Sequence, residues 1–165
     1  MNVSVQRILF PTDFSPASHF AKQYACAIAG PLNAELHVLH VTSYPHVESR
    51  PTDSWLEPQN VRLDALLESA KEQLDQEMKN SLIRDVQIHK VVRVGETVQE
   101  ILNYANEQRI ELIVLGTHGR TGLEHIFIGS VAEQIVQKAN CPVLTVRPQG
   151  HQILANEQCH LTGAQ

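Results

Sequence analysis

The chain has 165 residues, 42 % of them hydrophobic, with 13 Lys and Arg against 18 Asp and Glu. A chain of this length buries close to about 70 % of its unfolded surface, enough for one domain without disulfide or metal staples. The formal charge of −5 leaves no basic footprint for a polyanion, so nucleic acid is excluded as a first expectation.

No apolar run approaches the roughly eighteen residues a membrane span requires. The opening Met1 to Ser4 and the short run Ile8-Leu9-Phe10, cut off at Pro11, lack the plan of a secretory signal. A soluble, cytoplasmic protein is expected. Cys26, Cys141 and Cys159 stand far apart with no C-x-x-C pair, which reads as reduced thiols.

In chain order, five short aliphatic segments alternate with four helical ones, the pattern of a parallel sheet covered by helices. The first strand is expected over Val5 to Phe10. Ser15 followed by Pro16 marks a helix start, Ala21, Tyr24, Ala25 and Ile28 form its apolar stripe, and Gly30-Pro31 is expected to close it. The second strand is Glu35 to Val41. His37 and His40 lie on it, three apart, so they face opposite sides of the sheet and cannot share a metal. Thr42 to Asn60, with Pro45, Pro51 and Pro58, reads as a long loop.

A stripe of Leu63, Leu66, Leu67, Ala70, Leu74 and Met78 gives the second helix. The third strand, Val86 to Val92, is interrupted by Gln87, His89 and Lys90, which suits an edge. Thr97 with Glu100 reads as a capping box for the third helix, as Ser130 with Glu133 does for the fourth. Between them lies Glu111 to Gly116, whose unbroken Leu112 to Leu115 suits a central strand buried on both faces. Pro142 to Arg147 is the last strand. Pro148 to Gln165 is set apart as a polar tail.

Ligands of open parallel sheets bind beyond the carboxyl ends of the strands, where strand order reverses. Two loops therefore matter most: Pro11-Thr12-Asp13 after the first strand, and Gly116-Thr117-His118-Gly119-Arg120-Thr121-Gly122 after the fourth. A further glycine, Gly129, precedes the last helix. Glycines let a phosphate approach the backbone, a helix start offers unpaired N–H groups, and Arg120 can add charge-assisted bonds. Neither the Walker A lysine nor the G-x-G-x-x-G fingerprint is present.

What stands instead, Gly116-x2-Gly119-x9-Gly129-Ser130 after a strand and before a helix, resembles the ATP-binding signature of the universal stress protein family. Ile8-Leu9-Phe10-Pro11-Thr12-Asp13-Phe14-Ser15 is similar to that family's first strand and loop, and Cys141-Pro142-Val143-Leu144-Thr145-Val146 to its last strand. The resemblance covers about residues 3 to 147, giving a single domain over 1–147 and a tail over 148–165. It implies an α/β fold, Rossmann-like and of the adenine nucleotide alpha hydrolase-like type. Its parallel sheet would have five strands in the order 3-2-1-4-5, with helices on both faces. It also implies a homodimer joined through the last strands, Val143 to Val146.

By the same resemblance, Val41 would meet adenine through its backbone, and Pro11, Thr12 and Asp13 would line the adenine and ribose side. Gly116, Thr117, His118, Gly119 and Arg120 would wrap ribose and phosphates, while Gly129, Ser130 and Val131 would hold the phosphate tail. The ligand implied is ATP, or AMP in the same crevice, with Mg²⁺ carried by the phosphates. The function implied is that of an ATP-binding regulator or sensor in the stress response. Two alternatives stand beside it: a slow ATPase, with Asp13 or His118 orienting water but no Walker lysine or arginine finger to help, and a nucleotide-free dimeric interaction module.

Overall fold

The computed structural model describes residues 4–43, 59–79, 86–117 and 129–147. The proline-rich part of the expected long loop, the glycine loop from His118 onward and the tail from Pro148 lie outside these residues. The chain alternates strand and helix throughout: β1 (Arg7–Pro11), α1 (Pro16–Leu32), β2 (Glu35–Thr42), α2 (Gln59–Lys79), β3 (Ile88–Val94), α3 (Thr97–Glu107), β4 (Leu112–Gly116), α4 (Ser130–Lys138) and β5 (Val143–Val146). All strand pairings are parallel, in the order β3-β2-β1-β4-β5.

Side chains on a strand alternate between faces, and the two faces carry separate cores. On one, Ile8, Phe10, Leu36, Val38 and Val114 pack with Ala21, Ala25 and Ala29 of α1 and Leu74 and Met78 of α2. On the other, Leu9, Leu39, Ile113 and Leu115 pack with Val98, Ile101 and Ala105 of α3 and Ala132 and Ile135 of α4. The small residues on α1 let its backbone lie close to β1 and β4. As expected, β1 is central, and Ile8, Leu9 and Phe10 are completely buried.

Helix ends depart from the sequence expectations in three places. α1 runs past Gly30 and Pro31 to Leu32, because Asn33, not Gly30, takes the left-handed conformation (φ 49°) and donates its N–H to the carbonyls of Ala29 and Gly30. α3 is capped by Glu96 rather than Thr97. The Glu96 carboxylate accepts from the amides of Val98 and Gln99, and a carboxylate is favoured at the positive end of a helix. α4 begins one residue earlier than the capping box predicts: Gly129 is its N-cap, no side chain among the described residues caps it, and Ser130 belongs to its first turn. The other end of the expected α2 stripe also differs, since Leu66 is exposed while Ala70, Leu74 and Met78 are buried.

Candidate functional site

β1 and β4 are neighbours, with Ile8 opposite Leu112 and Leu9 opposite Ile113. The chain leaving β1 turns to α1 on one face, whereas the chain leaving β4 leads to α4 on the other. That divergence makes the carboxyl ends of the two strands the topological switch point, the place where this class of sheet receives ligands.

The loop after β1 is fixed by its own backbone and short side chains. Thr12 donates its N–H to the carbonyl of Leu39 at 2.9 Å, tying the loop to β2. The buried Thr12 hydroxyl accepts from the amide of Phe14 (3.1 Å) and donates to the Ser18 hydroxyl (3.2 Å). Asp13 Oδ1 accepts from the amide of Ser15 at 3.0 Å, and Ser15 in turn caps α1 by accepting from Ser18. Phe14 sits at φ 61°, a conformation that costs a non-glycine residue about 1–3 kcal/mol unless its surroundings hold it. Here the holding contact is His40, whose ring lies 4.4 Å from that of Phe14 and whose Nδ1 is 2.8 Å from the Thr12 carbonyl oxygen. Sequence reading assigned no role to His40 or Ser18, and both serve as props beneath this loop.

The end of β4 is shaped by close approach to α1. A Cβ at Gly116 would stand 2.8 Å from the carbonyl oxygen of Ala17 and 3.2 Å from the amide of Ser18. Glycine is required there because the first turn of α1 lies directly against the end of β4. Thr117 follows, almost wholly buried, and donates its N–H to the Val146 carbonyl at 2.9 Å. Its own carbonyl accepts from the amide of Gly129. The glycine loop therefore leaves β4 and enters α4 through one hydrogen-bonded neck.

Of the twelve residues singled out in the sequence, nine lie in described segments, and these nine fall at the carboxyl ends of β1, β2 and β4 or at the start of α4. Pro11 ends β1, with Thr12 and Asp13 after it; half-buried Val41 is next to last on β2; Gly116 ends β4, and Thr117 follows. Gly129 caps α4, Ser130 is exposed on its first turn, and Val131 packs partly on the α3 and α4 core. His118, Gly119 and Arg120 lie outside the described residues. Among the described residues no side chain caps α4 at Gly129, and a helix start of this kind, with its dipole, favours an anion.

The family model described as "Universal stress protein family" matches residues 4–147. The chain is 35 % identical over 143 residues to Universal stress protein MJ0531 of Methanocaldococcus jannaschii, covering 86 % of this chain and 82 % of that one. It is 30 % identical over 158 residues to Universal stress protein MJ0577 of the same organism, covering 89 % of this chain and 98 % of the relative. The solved structure of MJ0577 superposes with a TM-score of 0.77, covering 90 % of this chain and all of that one. A universal stress protein solved in complex with cAMP, 23 % identical, has the same fold at a TM-score of 0.60, covering 89 % of this chain and all of that one.

Proposed function

The chain belongs to the universal stress protein family, and on that premise we propose that it binds an adenine nucleotide, ATP foremost, and acts as a nucleotide-dependent regulator or sensor in the stress response. The observation that carries this reading is the start of α4, where, among the described residues, no side chain caps the first amides at Gly129, whose own amide bonds to the Thr117 carbonyl. A phosphate chain satisfies those amides and the helix dipole together.

In this reading Val41 and the Pro11, Thr12 and Asp13 turn border adenine and ribose. Gly116, Thr117, His118, Gly119 and Arg120 surround ribose and phosphates, and Gly129, Ser130 and Val131 receive the phosphate tail. The β1 loop suits a preformed wall, since its backbone bonds are made within the protein before any ligand arrives. Mg²⁺ enters with the phosphates, which together with water supply most of its ligands. A homodimer forms through β5, an edge strand whose pairing among the described residues is with β4 alone.

Calorimetric titration of nucleotide-stripped protein with ATP and with AMP, each with Mg²⁺, tests the reading. Saturable ATP binding is expected, at least 100-fold weaker in Gly119→Val, where two methyls enter the space that ribose or phosphate needs. Phosphate release above a no-protein control would favour the ATPase alternative. Failure of the wild type to bind any adenylate would leave the interaction module.

A further inference from the structure

The amino-terminal end of the sheet carries a second cluster, formed by a pairing that no single strand reveals. β2 and β3 lie in register with His37 opposite His89. Glu35 lies two residues before His37 and therefore on the same face. The three ligand atoms, one from each side chain, lie within 4.8 Å of one another. Glu35 Oε2 stands 3.6 Å from His37 Nε2 and 3.5 Å from His89 Nε2. The imidazoles stack with centroids 4.6 Å apart.

Two observations separate this cluster from an ordinary surface grouping. Both Nε2 atoms are shielded from solvent and make no hydrogen bond among the described residues, and a buried polar atom without a partner is left with an uncompensated desolvation penalty. The His37 side chain is only 5 % exposed. Its other nitrogen, Nδ1, lies 2.8 Å from Oη of Tyr104 on α3. With Nδ1–H donating to that oxygen, Nε2 turns its lone pair towards Glu35 and His89. A hydrogen bond of this type orients the ring of a metal-bound histidine and fixes its tautomer.

We propose that Glu35, His37 and His89 bind one Zn²⁺ or a similar borderline divalent transition ion. Two imidazoles and one carboxylate suit such an ion, whereas Mg²⁺ and Ca²⁺ prefer all-oxygen sites. Tetrahedral bonds of about 2.0–2.1 Å put neighbouring ligand atoms roughly 3.3 Å apart, close to both observed distances from Glu35. The gap between the imidazoles closes by a turn of His89, which is the more exposed ring. The remaining coordination position opens into a cleft of about 740 Å³ bordered by Arg7, Tyr104 and Arg109, where water can bind. Of the nearby cations, Arg7 is paired with Glu111, Lys90 with Asp75, and Arg93 with Glu107 and Glu100, while Arg109 borders the same cleft. Glu35 is left as the carboxylate facing the two rings.

The test is a Zn²⁺ titration of the full, tag-free, reduced chain in competition with a chromophoric chelator, with the imidazole ¹⁵N resonances followed in parallel. The wild type is expected to shift Nε2 of both His37 and His89 on binding. Glu35→Gln and His89→Gln, both at solvent-accessible positions, are expected to lose those shifts and to weaken this site at least 10-fold. Their metal-free circular dichroism and thermal midpoints should match the wild type, which separates lost ligation from lost folding. If the His37 and His89 resonances stay unmoved at saturating Zn²⁺, or both variants bind as the wild type does, the cluster is an ion pair only and the proposal falls.

Discussion

The two ends of the sheet solve opposite problems with different materials. At the carboxyl end, polar groups of the β1 loop are satisfied inside the protein, and among the described residues the first amides of α4 have no side-chain cap. At the amino end, backbone pairing is complete across β2 and β3, and the unsatisfied atoms are imidazole nitrogens. In the two proposals, one end meets its ligand with main-chain dipoles and the other with side-chain lone pairs. An anion suits the first and a cation the second.

The sharpest way to disturb the carboxyl end alone is Gly116→Val. Its Cβ would collide with the backbone of α1 at 2.8 Å, and neither backbone yields cheaply, so a loss of about 3 kcal/mol is expected in urea unfolding, at the upper end of overpacking costs. A smaller effect follows from Thr12→Val, which strips the Phe14 amide of its acceptor. About 2 kcal/mol should be lost, the cost of a buried unsatisfied donor, together with weaker nucleotide binding.

The matching change at the amino end is Tyr104→Phe, which leaves His37 Nδ1 without its 2.8 Å partner. About 1 kcal/mol is expected from chemical denaturation, with nucleotide affinity unchanged. If Tyr104→Phe weakened nucleotide binding as much as Thr12→Val, the two ends would not be separate sites.

The smallest effect concerns acid. Hydrogen bonding from Arg93 holds the Glu107 carboxyl below the usual carboxylate range. As pH falls the unfolded chain takes up this proton first, so the contribution is present above that range and disappears as pH drops through the depressed folded value. Glu107→Gln should flatten the acid limb of stability slightly, and less so in high salt, because Glu107 is solvent-exposed.

Strand and helix order was legible because Ile8-Leu9-Phe10 and Leu112 to Leu115 are unbroken apolar runs, which only doubly covered strands need. Helix ends were less legible. Glu96 and Thr97 are both competent caps, and the competition was decided by which one reached the free amides of Val98 and Gln99. Gly30 looked like a terminator until Asn33 supplied the left-handed residue.

Nine of the twelve expected site residues lie in described segments, at the carboxyl ends of β1, β2 and β4 and the start of α4, yet Gly116 shows why motif and role differ, since the close approach of Ala17 already demands glycine there. The histidine cluster was hidden for a different reason. His37 and His40 do point to opposite faces, as their spacing dictates, with His37 against Tyr104 and His40 against Phe14. The partner of His37 sits fifty-odd residues away on a strand whose neighbour and register are set by sheet topology, not by local pattern.

Titrating Mg²⁺-ATP into the stripped full chain, in parallel with Gly119→Val and Glu35→Gln, reaches the central claim most directly. The account predicts saturable binding that is lost in Gly119→Val and kept in Glu35→Gln. Equal binding by the wild type and Gly119→Val, or none by the wild type, would contradict it.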